Sequence, residues 1–495
     1  MVRLSLLISA LVVFSMVLFG QTTSLTGTVT DPSGAVIPGA GISIVNTQTG
    51  AHRSATADTQ GRYTMPEVAP GTYRLTAKAA GFADVVIEKV ELLVNQPATV
   101  PIAFELGTTT TTVEVSAVAT QLNTTDASLG NAISNNAIVQ LPMFARNVVS
   151  LLQYQPGVTA TGDGGERDGA VNGGRPDQSN VTLDGVDVND QNARTAFTSV
   201  LRVTPDSIEE FKTTTTNGAA NVGRGSGADV AMVTKSGTNV FHGSLYEYRR
   251  GNETAANSFF NNAAGVPKAP LLINIFGGSF GAPIKRDRLF IFFNYEGRRD
   301  ASSGTADRTV ATEALKQGIV TYVDKAGNEH QLNPTQVQAI DPAGIGEDQA
   351  ALTALKSYPA GNDPSVGDDL DTIGYRFNAP QHNVYNTYIS RLDYRIDSAG
   401  NHTLFLRGNL QNDSSNGLPQ FPGLPPNSVS LNNSKGLAAG YTGIIKANLV
   451  ATTRWGFTRA GTENTGVLSG NYEWFRGFTT PYGTSTGISR IVPTH

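Results

Sequence analysis

The chain has 495 residues with a formal net charge of −5, and only 16% of its residues are charged. Because neither sign dominates, no nucleic-acid partner is expected. The sequence contains no cysteine, which excludes disulfide frameworks, thiolate metal sites and cysteine nucleophiles. With 53 glycines, and with 15 tyrosines and 21 phenylalanines against 2 tryptophans, the composition favours a mainly β protein.

Residues 1–21 have the layout of a secretory signal peptide. One cation, Arg3, precedes an apolar run from Leu4 to Phe19, and the small residue Gly20 closes the run. Cleavage there would start the mature chain near Gln21 or Thr22. The alternative is a membrane anchor, because the run approaches the roughly 17 to 25 residues of a spanning helix. The small residue at its end and the β-rich segment that follows favour cleavage.

Apolar and polar residues alternate in three runs within residues 24–107. The runs are Ala40, Ile42 and Ile44; Tyr73, Leu75 and Ala77; and Val100, Ile102, Phe104 and Leu106. Each run predicts a half-buried strand, and turn signals such as Pro38-Gly39 and Pro70-Gly71 separate the strands. The segment is therefore predicted to be a small all-β sandwich.

The same segment resembles the carboxypeptidase regulatory-like domain. The matching motifs are Gly27-Thr28-Val29-Thr30-Asp31, Pro38-Gly39-Ala40, Gly61-Arg62-Tyr63, Pro70 to Leu75, and Gly81-Phe82. The resemblance implies a transthyretin-like sandwich, often grouped with carbohydrate-binding-like folds, and it implies no peptidase activity. Tyr63 and Tyr73 lie in strand patterns, so we expect core or rim aromatics rather than platforms for a sugar.

Residues 108–120 are predicted to be a linker that begins with the run Thr108 to Thr112. A sparsely charged, extended stretch within it resembles a TonB box and comprises Val113, Glu114, Val115 and Ser116. Such a segment would add a strand to a sheet edge of an energy-transducing partner, with backbone hydrogen bonds supplying the affinity. A plain linker strand explains these residues equally well, so both interpretations stay open.

Residues 121–240 mix short elements with glycine-rich loops, which predicts a small α+β domain. Val148, Leu151 and Leu152 at helical spacing predict one short helix before Pro156-Gly157. A strand is predicted at Val181 to Leu183.

The order of motifs in this segment resembles the plug domain of TonB-dependent receptors, and more narrowly the Oar-like branch. The matching stretches are Leu141-Pro142, Arg146-Asn147, Pro156-Gly157-Val158, Asn172 to Arg175, Leu183-Asp184-Gly185, Ile208-Glu209-Glu210-Phe211, Gly223 to Gly227, and Thr234 to Asn239. As plug-motif residues, the resemblance singles out Arg175, Asp184, Gly185, Glu210, Phe211 and Arg224.

Two groups of residues in this segment partly match known ligand-binding motifs, but neither match is complete. Asp184, Asp187 and Asp190 lack the alternating oxygen ligands and the terminal glutamate of an EF-hand. The glycines from Gly223 to Gly227 are not followed by the helix and Lys-Ser/Thr pair of a phosphate-binding loop. We expect no metal site and no cofactor.

Seven later segments alternate like membrane strands, each near the roughly 9 to 11 residues of a tilted crossing. They are residues 242–250, 271–281, 288–298, 384–397, 402–411, 434–445 and 448–460. In the fourth and fifth, Tyr388, Leu392, Tyr394, Ile396, Leu404, Leu406 and Leu410 would face lipid, while Arg391, Asp393, Arg395, Thr403, Arg407 and Asn409 would face the lumen. Without a later apolar helix, a mature chain that spans a membrane must do so as an antiparallel β-barrel.

The start of this region resembles the opening of Oar-like barrels. The motif that leads into the first barrel strand comprises Lys235, Ser236, Gly237, Thr238, Asn239, His242 and Gly243, and the segments Asn274 to Lys285 and Leu289 to Arg298 follow it. The family usually has a second glycine where this chain has Ala282. Residues 300–380 are polar and predict a long extracellular loop. The basic clusters Lys285 to Arg288 and Arg298-Arg299 are predicted to be solvated residues at strand ends.

Seven strands cannot close the roughly 22-stranded barrel of large outer-membrane transporters. The last residues, Ile491 to His495, also lack the alternation of a closing strand. Because an open edge in lipid leaves backbone groups unpaired, we expect the barrel of residues 241–495 to be incomplete and the chain to be the N-terminal part of a longer protein.

The sequence offers no convincing catalytic site. Gly277-Gly278-Ser279-Phe280-Gly281 matches a nucleophile-elbow pattern, but Pro283 and a charged turn follow where that pattern needs a helix. The six histidines never pair at zinc-ligand spacing. We expect no enzymatic activity.

The favoured hypothesis is transport across the outer membrane, with the mechanism that the resemblance implies. A large or complex extracellular ligand, such as a glycan or a polypeptide, would bind the loops and the plug. A TonB-type partner in the inner membrane would then pull the TonB box, so that the plug rearranges within a barrel held in outer-membrane lipid. The alternative is a secreted or surface-attached β-protein whose sandwich binds carbohydrate or protein partners, and solubility without detergent would favour it.

Overall fold

A computed structural model describes residues 22–94, 96–107, 113–114, 128–141, 143, 146–160, 169–191, 196–218, 225–253, 255–397, 400–446, 449–466, 479–480 and 483–484. The predicted signal peptide, Val115, Ser116 and Arg224 lie outside these ranges. The described part is mainly β, as predicted. Among the described helices, none is long and apolar enough to cross a membrane.

The first domain, called the sandwich below, has two facing sheets. Its strands are β1 Thr23–Thr30, β2 Gly41–Asn46, β3 His52–Thr56, β4 Arg62–Val68, β5 Gly71–Lys78, β6 Val85–Leu92, β7 Ala98–Thr99 and β8 Ile102–Ala103, and β9 Val113–Glu114 joins from the linker. One sheet has the order β4-β1-β7 with β8 also paired to β1, and the other has the order β3-β2-β5-β6-β9. The alternating residues Ile42, Ile44 and Leu75 point into one shared core, which confirms the predicted sandwich.

The two tyrosines belong to this core, as predicted. Tyr63 is 1% exposed and Tyr73 is 3% exposed. The hydroxyl of Tyr63 donates to the Val100 carbonyl at 2.7 Å, and that of Tyr73 donates to the Ala69 carbonyl at 2.8 Å. With their rings buried and their hydroxyls bonded, neither residue can serve as a sugar platform.

The predicted strand from Val100 to Leu106 is wrong in its extent. The structure has two short strands, β7 and β8, separated at Val100 and Pro101. Proline has no N–H for a sheet ladder, which interrupts the pairing. Val100 and Phe104 are buried as expected, but Leu106 is 78% exposed.

The second region, residues 128–240, is called the plug below. Its elements are β10 Leu129–Ser134, α1 Asn135–Gln140, β11 Val158–Thr159, β12 Ala170–Val171, β13 Asn180–Leu183, β14 Val186–Asp187, β15 Ile208–Thr216 and β16 Asp229–Thr234, with 3-10 helices at Val148–Tyr154, Pro176–Gln178 and Pro205–Ser207. The main sheet has the order β10-β15-β16-β13-β14. The predicted short helix is present as the 3-10 helix Val148–Tyr154, and its side chains Val148, Leu151 and Leu152 enter the plug core.

The third region contains one large antiparallel sheet, called the wall below. Its main strands are β17 His242–Gly251, β18 Leu272–Lys285, β19 Leu289–Ala311, β23 Thr372–Arg395, β24 His402–Gln411, β27 Lys435–Lys446 and β28 Leu449–Arg459, and they are neighbours in that order. All seven predicted strands are therefore present.

Shorter elements lie between or after the main strands of the wall. They are α2 Phe259–Ala263, α3 Glu313–Lys316, β20 Val320–Val323, β21 Glu329–Leu332, α4 Pro334–Ile340, α5 Gln349–Lys356, β22 Asp363–Gly367, β25 Asp413–Asn416, β26 Ser428–Asn432, β29 Thr462–Gly466, β30 Thr479–Thr480 and β31 Gly483–Thr484. The elements from α3 to β22 form a folded lobe between β19 and β23.

The wall has one apolar face and one polar face. Apolar side chains predicted to face lipid are exposed on the side away from the plug, among them Tyr388, Tyr394 and Leu406. The intervening Arg407 and Asn409 are fully buried, because they point towards the plug. This alternation confirms the predicted facing of the two strands.

The prediction of a loop at residues 300–380 is wrong at both ends. β19 continues to Ala311 and β23 begins at Thr372, and the two strands stay in register from Leu289↔Tyr394 to Ala311↔Thr372. The extension was missed because residues 300–311 are mostly polar or small. Apolar residues of the β23 extension, among them Phe377 and Ala379, nevertheless pack with Ala306 of β19 in a small buried cluster. The prediction that Arg298 and Arg299 lie at a strand end is also wrong, since both lie within β19.

Connection lengths orient the wall. Short turns join β18 to β19, β23 to β24 and β27 to β28, whereas long connections join the strands at the opposite end. In bacterial outer-membrane barrels the short turns are periplasmic and the long loops extracellular. The sandwich lies at the short-turn end, where the side chain of Asn239 bridges the Thr49 carbonyl and Asp287.

Candidate functional site: the contact between plug and wall

The plug rests on the polar face of the wall, and among the described residues three groups of charged side chains join them. Each group pairs a plug residue with wall residues far along the chain. The first group surrounds Arg146, the second surrounds Asp184 and the third surrounds Arg202.

Arg146 lies just before the plug's first 3-10 helix and is buried. Its guanidinium donates to Asp206 at 2.7 Å within the plug and to Glu296 on β19 at 3.0 Å. The rings of Tyr246 and Tyr248 on β17 lie 4.9 and 4.4 Å from the guanidinium carbon, a cation–π arrangement. Although burial opposes the charge, Glu296 raises the pKa of Arg146 above its usual value, so the cation stays charged in its buried position.

Asp184 follows β13 at the plug's edge and is 4% exposed. Its carboxylate accepts from Arg391 on β23 at 2.9 Å and from Arg407 on β24 at 3.2 Å. The amide and hydroxyl of Thr234 also donate to it, at 3.0 and 2.7 Å. Burial opposes the charge on Asp184, but the two arginines and Thr234 outweigh it and hold the pKa of this carboxyl below its usual value.

Arg202 makes the third link, near the long-loop end of the wall. It donates to both oxygens of Asp413, at 3.0 and 2.7 Å, in the bidentate geometry that favours arginine. Its backbone amide donates to Gln411 on β24 at 2.6 Å. The guanidinium also lies 4.9 Å from the ring of Tyr385.

Two wall glycines let the plug approach closely between these links. A Cβ on Gly436 would lie 2.2 Å from Leu201, and a Cβ on Gly456 would lie 2.2 Å from Val186. Both contacts are far below van der Waals distance, so these positions have no room for a side chain in this arrangement.

A cavity of about 360 Å³ opens beside Arg202 between the plug loops and the wall. Its lining is mostly polar and includes Asn147, Asp190, Ser199, Arg298, Thr387 and Gln411. Arg202 and Arg298 both lie over the ring of Tyr385, at 4.9 and 5.4 Å. The cavity therefore offers a ligand amides, hydroxyls, carboxylates and guanidinium groups beside apolar surface.

The residues singled out as plug motif fall in different places. Asp184, Gly185, Glu210 and Phe211 are at or beside buried contacts: Gly185 adopts a φ of +80° after Asp184, and Phe211 lies in the plug core. Arg175 instead lies at the surface and pairs with Asp177 at 2.6 Å. Arg224 lies outside the described residues.

The motif leading into β17 fastens the plug to the base of the wall. Ser236 donates to Asp393 at 2.8 Å, and a Cβ on Gly237 would lie 2.3 Å from the Ile291 carbonyl. The Thr238 hydroxyl bonds to the Val240 carbonyl and lies 3.1 Å from the His242 ring. A Cβ on Gly243 would lie 2.3 Å from the Ser279 carbonyl. Lys235 is half-buried at the end of β16, and desolvation lowers its pKa.

Val113 and Glu114, the described half of the TonB-box candidate, form β9. This strand pairs in parallel with β6 of the sandwich, with Val113 opposite Val85 and Glu114 opposite Val86. The pairing shows that the segment can add to a sheet edge.

Ser279 does not lie in a nucleophile elbow. It lies within β18, and its hydroxyl is 2.8 Å from that of Ser244 on β17. A serine within a paired strand lacks the strand-to-helix turn that exposes a nucleophile.

The sequence did not reveal which charges form the plug contact. Arg391 and Arg407 were assigned to the lumen face, but Arg146, Arg202, Glu296 and Asp413 were not identified as contact residues. Lumen-facing charges that alternate with apolar residues were the available signal, and that signal names no partner.

Comparison with known families covers most of the chain. The family described as outer membrane beta barrel domain matches residues 233–494, more than half of the chain. The TonB-dependent receptor plug domain matches residues 123–229, and the carboxypeptidase regulatory-like domain matches residues 24–107. The chain belongs to the TonB-dependent receptors. The receptor is therefore a protein of the Gram-negative outer membrane.

Individual proteins and solved structures are similar to parts of the receptor. The receptor is 23% identical to the TonB-dependent transporter Oar of Myxococcus xanthus over 82% of its own length and 36% of that protein. Among solved structures, it resembles the outer membrane transporter YddB of Escherichia coli with 15% identity and a TM-score of 0.45, covering 73% of this chain and 42% of that one. A ferric enterobactin receptor of Pseudomonas aeruginosa gives 14% identity and a TM-score of 0.41, covering 70% and 42%. The receptor thus spans 36% of the length of the curated relative that it matches.

Proposed function

We propose that the receptor moves large or complex ligands, such as glycans or polypeptides, across the outer membrane with energy from a TonB-type protein of the inner membrane. The observation that carries the proposal is the polar contact between plug and wall. Within the described residues, three charged groups and close contacts at two glycines hold the plug on the wall. Water can solvate those charges when they separate, so the plug can leave the wall without exposing its own core.

The cavity beside Arg202 supports a ligand site on the outer side of the plug. It lies near the long-loop end and is bounded by both plug and wall. A ligand bound there would touch Arg202 and could disturb its pair with Asp413. Ligand binding in the cavity would in this way weaken a contact that holds the plug on the wall.

The energy-coupling step is assigned to Val113, Glu114, Val115 and Ser116. The pairing of β9 with β6 supports this role, because the backbone of Val113 and Glu114 is already extended and able to pair with a sheet edge. The partner would take the same backbone groups into its own sheet.

The test uses the full chain in outer-membrane vesicles and the purified periplasmic domain of a TonB-type protein as the probe. Val113→Pro removes a backbone donor, so binding should weaken about tenfold. Glu114→Gln is the matched control: it keeps the backbone donor and should leave affinity unchanged. Unchanged binding by the proline variant would reduce the segment to a plain linker, and no binding by the parent chain would overturn the energy-coupling proposal.

A further inference from the structure

In the part of the chain that the structure describes, the sandwich is fastened to the rest of the receptor at three separate points. One is on the plug, one is on the segment that leads into β17, and one is on the first residues of β28. The last two are at the short-turn end of the wall. The sandwich therefore lies across the periplasmic side of the plug.

The contact with the plug joins a buried carboxylate to a backbone amide. Glu210 on β15 is 2% exposed, and its two oxygens lie 2.8 and 2.9 Å from the amide nitrogen of Val94. A buried carboxylate without a donor is costly, so this amide stabilises Glu210 only while the sandwich is docked.

The contact with the segment before β17 centres on one sandwich turn. The Thr49 carbonyl accepts from the side chain of Asn239 at 3.0 Å and also from Arg395. Asn239 donates to Asp287 in the β18–β19 turn at 2.7 Å. Gly50 has a φ of +71°, and a Cβ there would lie 2.8 Å from Asp287, so the turn sits directly against the base of the wall.

The third contact is a single hydrogen bond at the far side of the wall. The Thr452 hydroxyl donates to Glu67 at 3.4 Å. Between these points remains a cavity of about 230 Å³, lined by polar groups from all three regions, among them Arg53, Ser236 and Arg454. An incompletely filled interface of this kind resembles those between domains that move.

We infer that the sandwich is a releasable clamp on the plug, which restrains the plug sheet at Glu210 and must undock before the plug rearranges. The inference rests on the proposed function. The chain order links the clamp to energy coupling. β6 pairs with β9 through Val85 and Val86. Val94, which lies two residues beyond the end of β6, donates its amide to Glu210. Tension on β9 therefore acts on the strand that ends at the clamp.

The clamp is tested by hydrogen exchange of the full chain in outer-membrane vesicles, measured on the plug segment 208–216. Val94→Pro removes the donor from the sandwich side, and Asn239→Ala removes the second contact without altering the sandwich. Each should speed exchange of segment 208–216 about tenfold. Glu209→Ala is the matched control, since Glu209 is the exposed neighbour of Glu210, and it should exchange like the parent.

Exchange of the sandwich segment 71–78 is followed in the same samples. Faster exchange at 208–216 supports the clamp whether or not segment 71–78 also loses protection, because either result shows that the plug depends on the sandwich. Parent-like exchange at 208–216 in both variants would overturn the clamp. Binding of the TonB-type periplasmic domain to the parent chain, measured separately, tests the proposed function and does not bear on this result.

Discussion

At Asp184 the backbone has a φ of +52°, in the left-handed region that few side chains other than Asn and Asp adopt readily. This conformation turns the carboxylate out of β13 towards Arg391 and Arg407. A short, negatively charged residue is needed, because the group must fit the turn and also neutralise two buried cations. Both requirements meet at one position of the Leu183-Asp184-Gly185 motif.

Replacing Asp184 by asparagine removes the negative charge while it keeps nearly the same side-chain shape. Asparagine tolerates the same backbone conformation, but it leaves Arg391 and Arg407 without this counter-ion. Breaking a buried pair by removing one partner costs about 3 to 5 kcal/mol, so the plug of Asp184→Asn should unfold at a clearly lower urea concentration. Asp187→Asn, at an exposed position three residues further on, should unfold like the parent. Equal midpoints for both variants would contradict the structural role of the charge.

The sequence marked Asp184 but could not identify its partners. The motif placed it in the plug, whereas Arg391 and Arg407 lie 207 and 223 residues further along. Alternation along β23 and β24 put both arginines on the lumen face, which is correct. Which plug residue meets them depends on how the plug sits on the wall, and no local pattern encodes that placement.

Among the strands, the wall shows where alternation succeeds and where it fails. Within the membrane band, one face must be apolar, so β24 alternates and its position was predictable. Beyond the band, the extensions of β19 and β23 bury only small apolar clusters that include Val310 and Phe377, and the mostly polar sequence of the β19 extension does not predict a strand. In the sandwich the cause is different. Pro101 has no N–H to donate, so it interrupts the strand that the alternation from Val100 to Leu106 predicts.

The apolar face of the wall can be tested at Leu406, which lies in the middle of β24 and is 44% exposed. A positive charge there would face lipid, at a cost of about 2 to 4 kcal/mol near the bilayer midplane. The urea concentration at the midpoint of folding into lipid vesicles should therefore be lower for Leu406→Arg than for the parent. Leu431→Arg is the control, because Leu431 is similarly exposed but lies in β26 beyond the membrane strands. A parent-like result at position 406 would mean that this face does not meet lipid.

At the scale of the whole molecule, the stability of the folded receptor should depend on pH. Desolvation raises the pKa of Glu210 to about 7, with Glu209 and Glu91 adding to the effect and the Val94 amide and Lys212 opposing it. A carboxyl whose pKa is higher in the folded protein takes up a proton on folding. Its contribution is therefore fully present below its usual value of 4.5 and is lost as the pH rises through about 7.

Thermal unfolding of the full chain at pH 5.5 and pH 7.5 checks this dependence. The parent should melt at a higher temperature at pH 5.5, and Glu210→Gln should reduce the difference because it cannot titrate. The Asp229 carboxyl, whose pKa burial raises to about 6, should retain part of the difference. Glu209→Gln should keep most of the pH difference, because Glu209 is a smaller cause of the raised pKa than desolvation. A full pH difference in Glu210→Gln would rule out Glu210 as the titrating group.

The length of β19 determines what an approaching particle meets first. The strand has 23 residues, and crossing the bilayer takes roughly 9 to 11 of them. About twelve remain, and at roughly 3.4 Å each they form with β23 a stalk about 40 Å long, measured along the tilted strands. The lobe between Thr312 and Asp371 stands on this stalk, so antibodies or bacteriophages would encounter the lobe well before they reach the lipid surface.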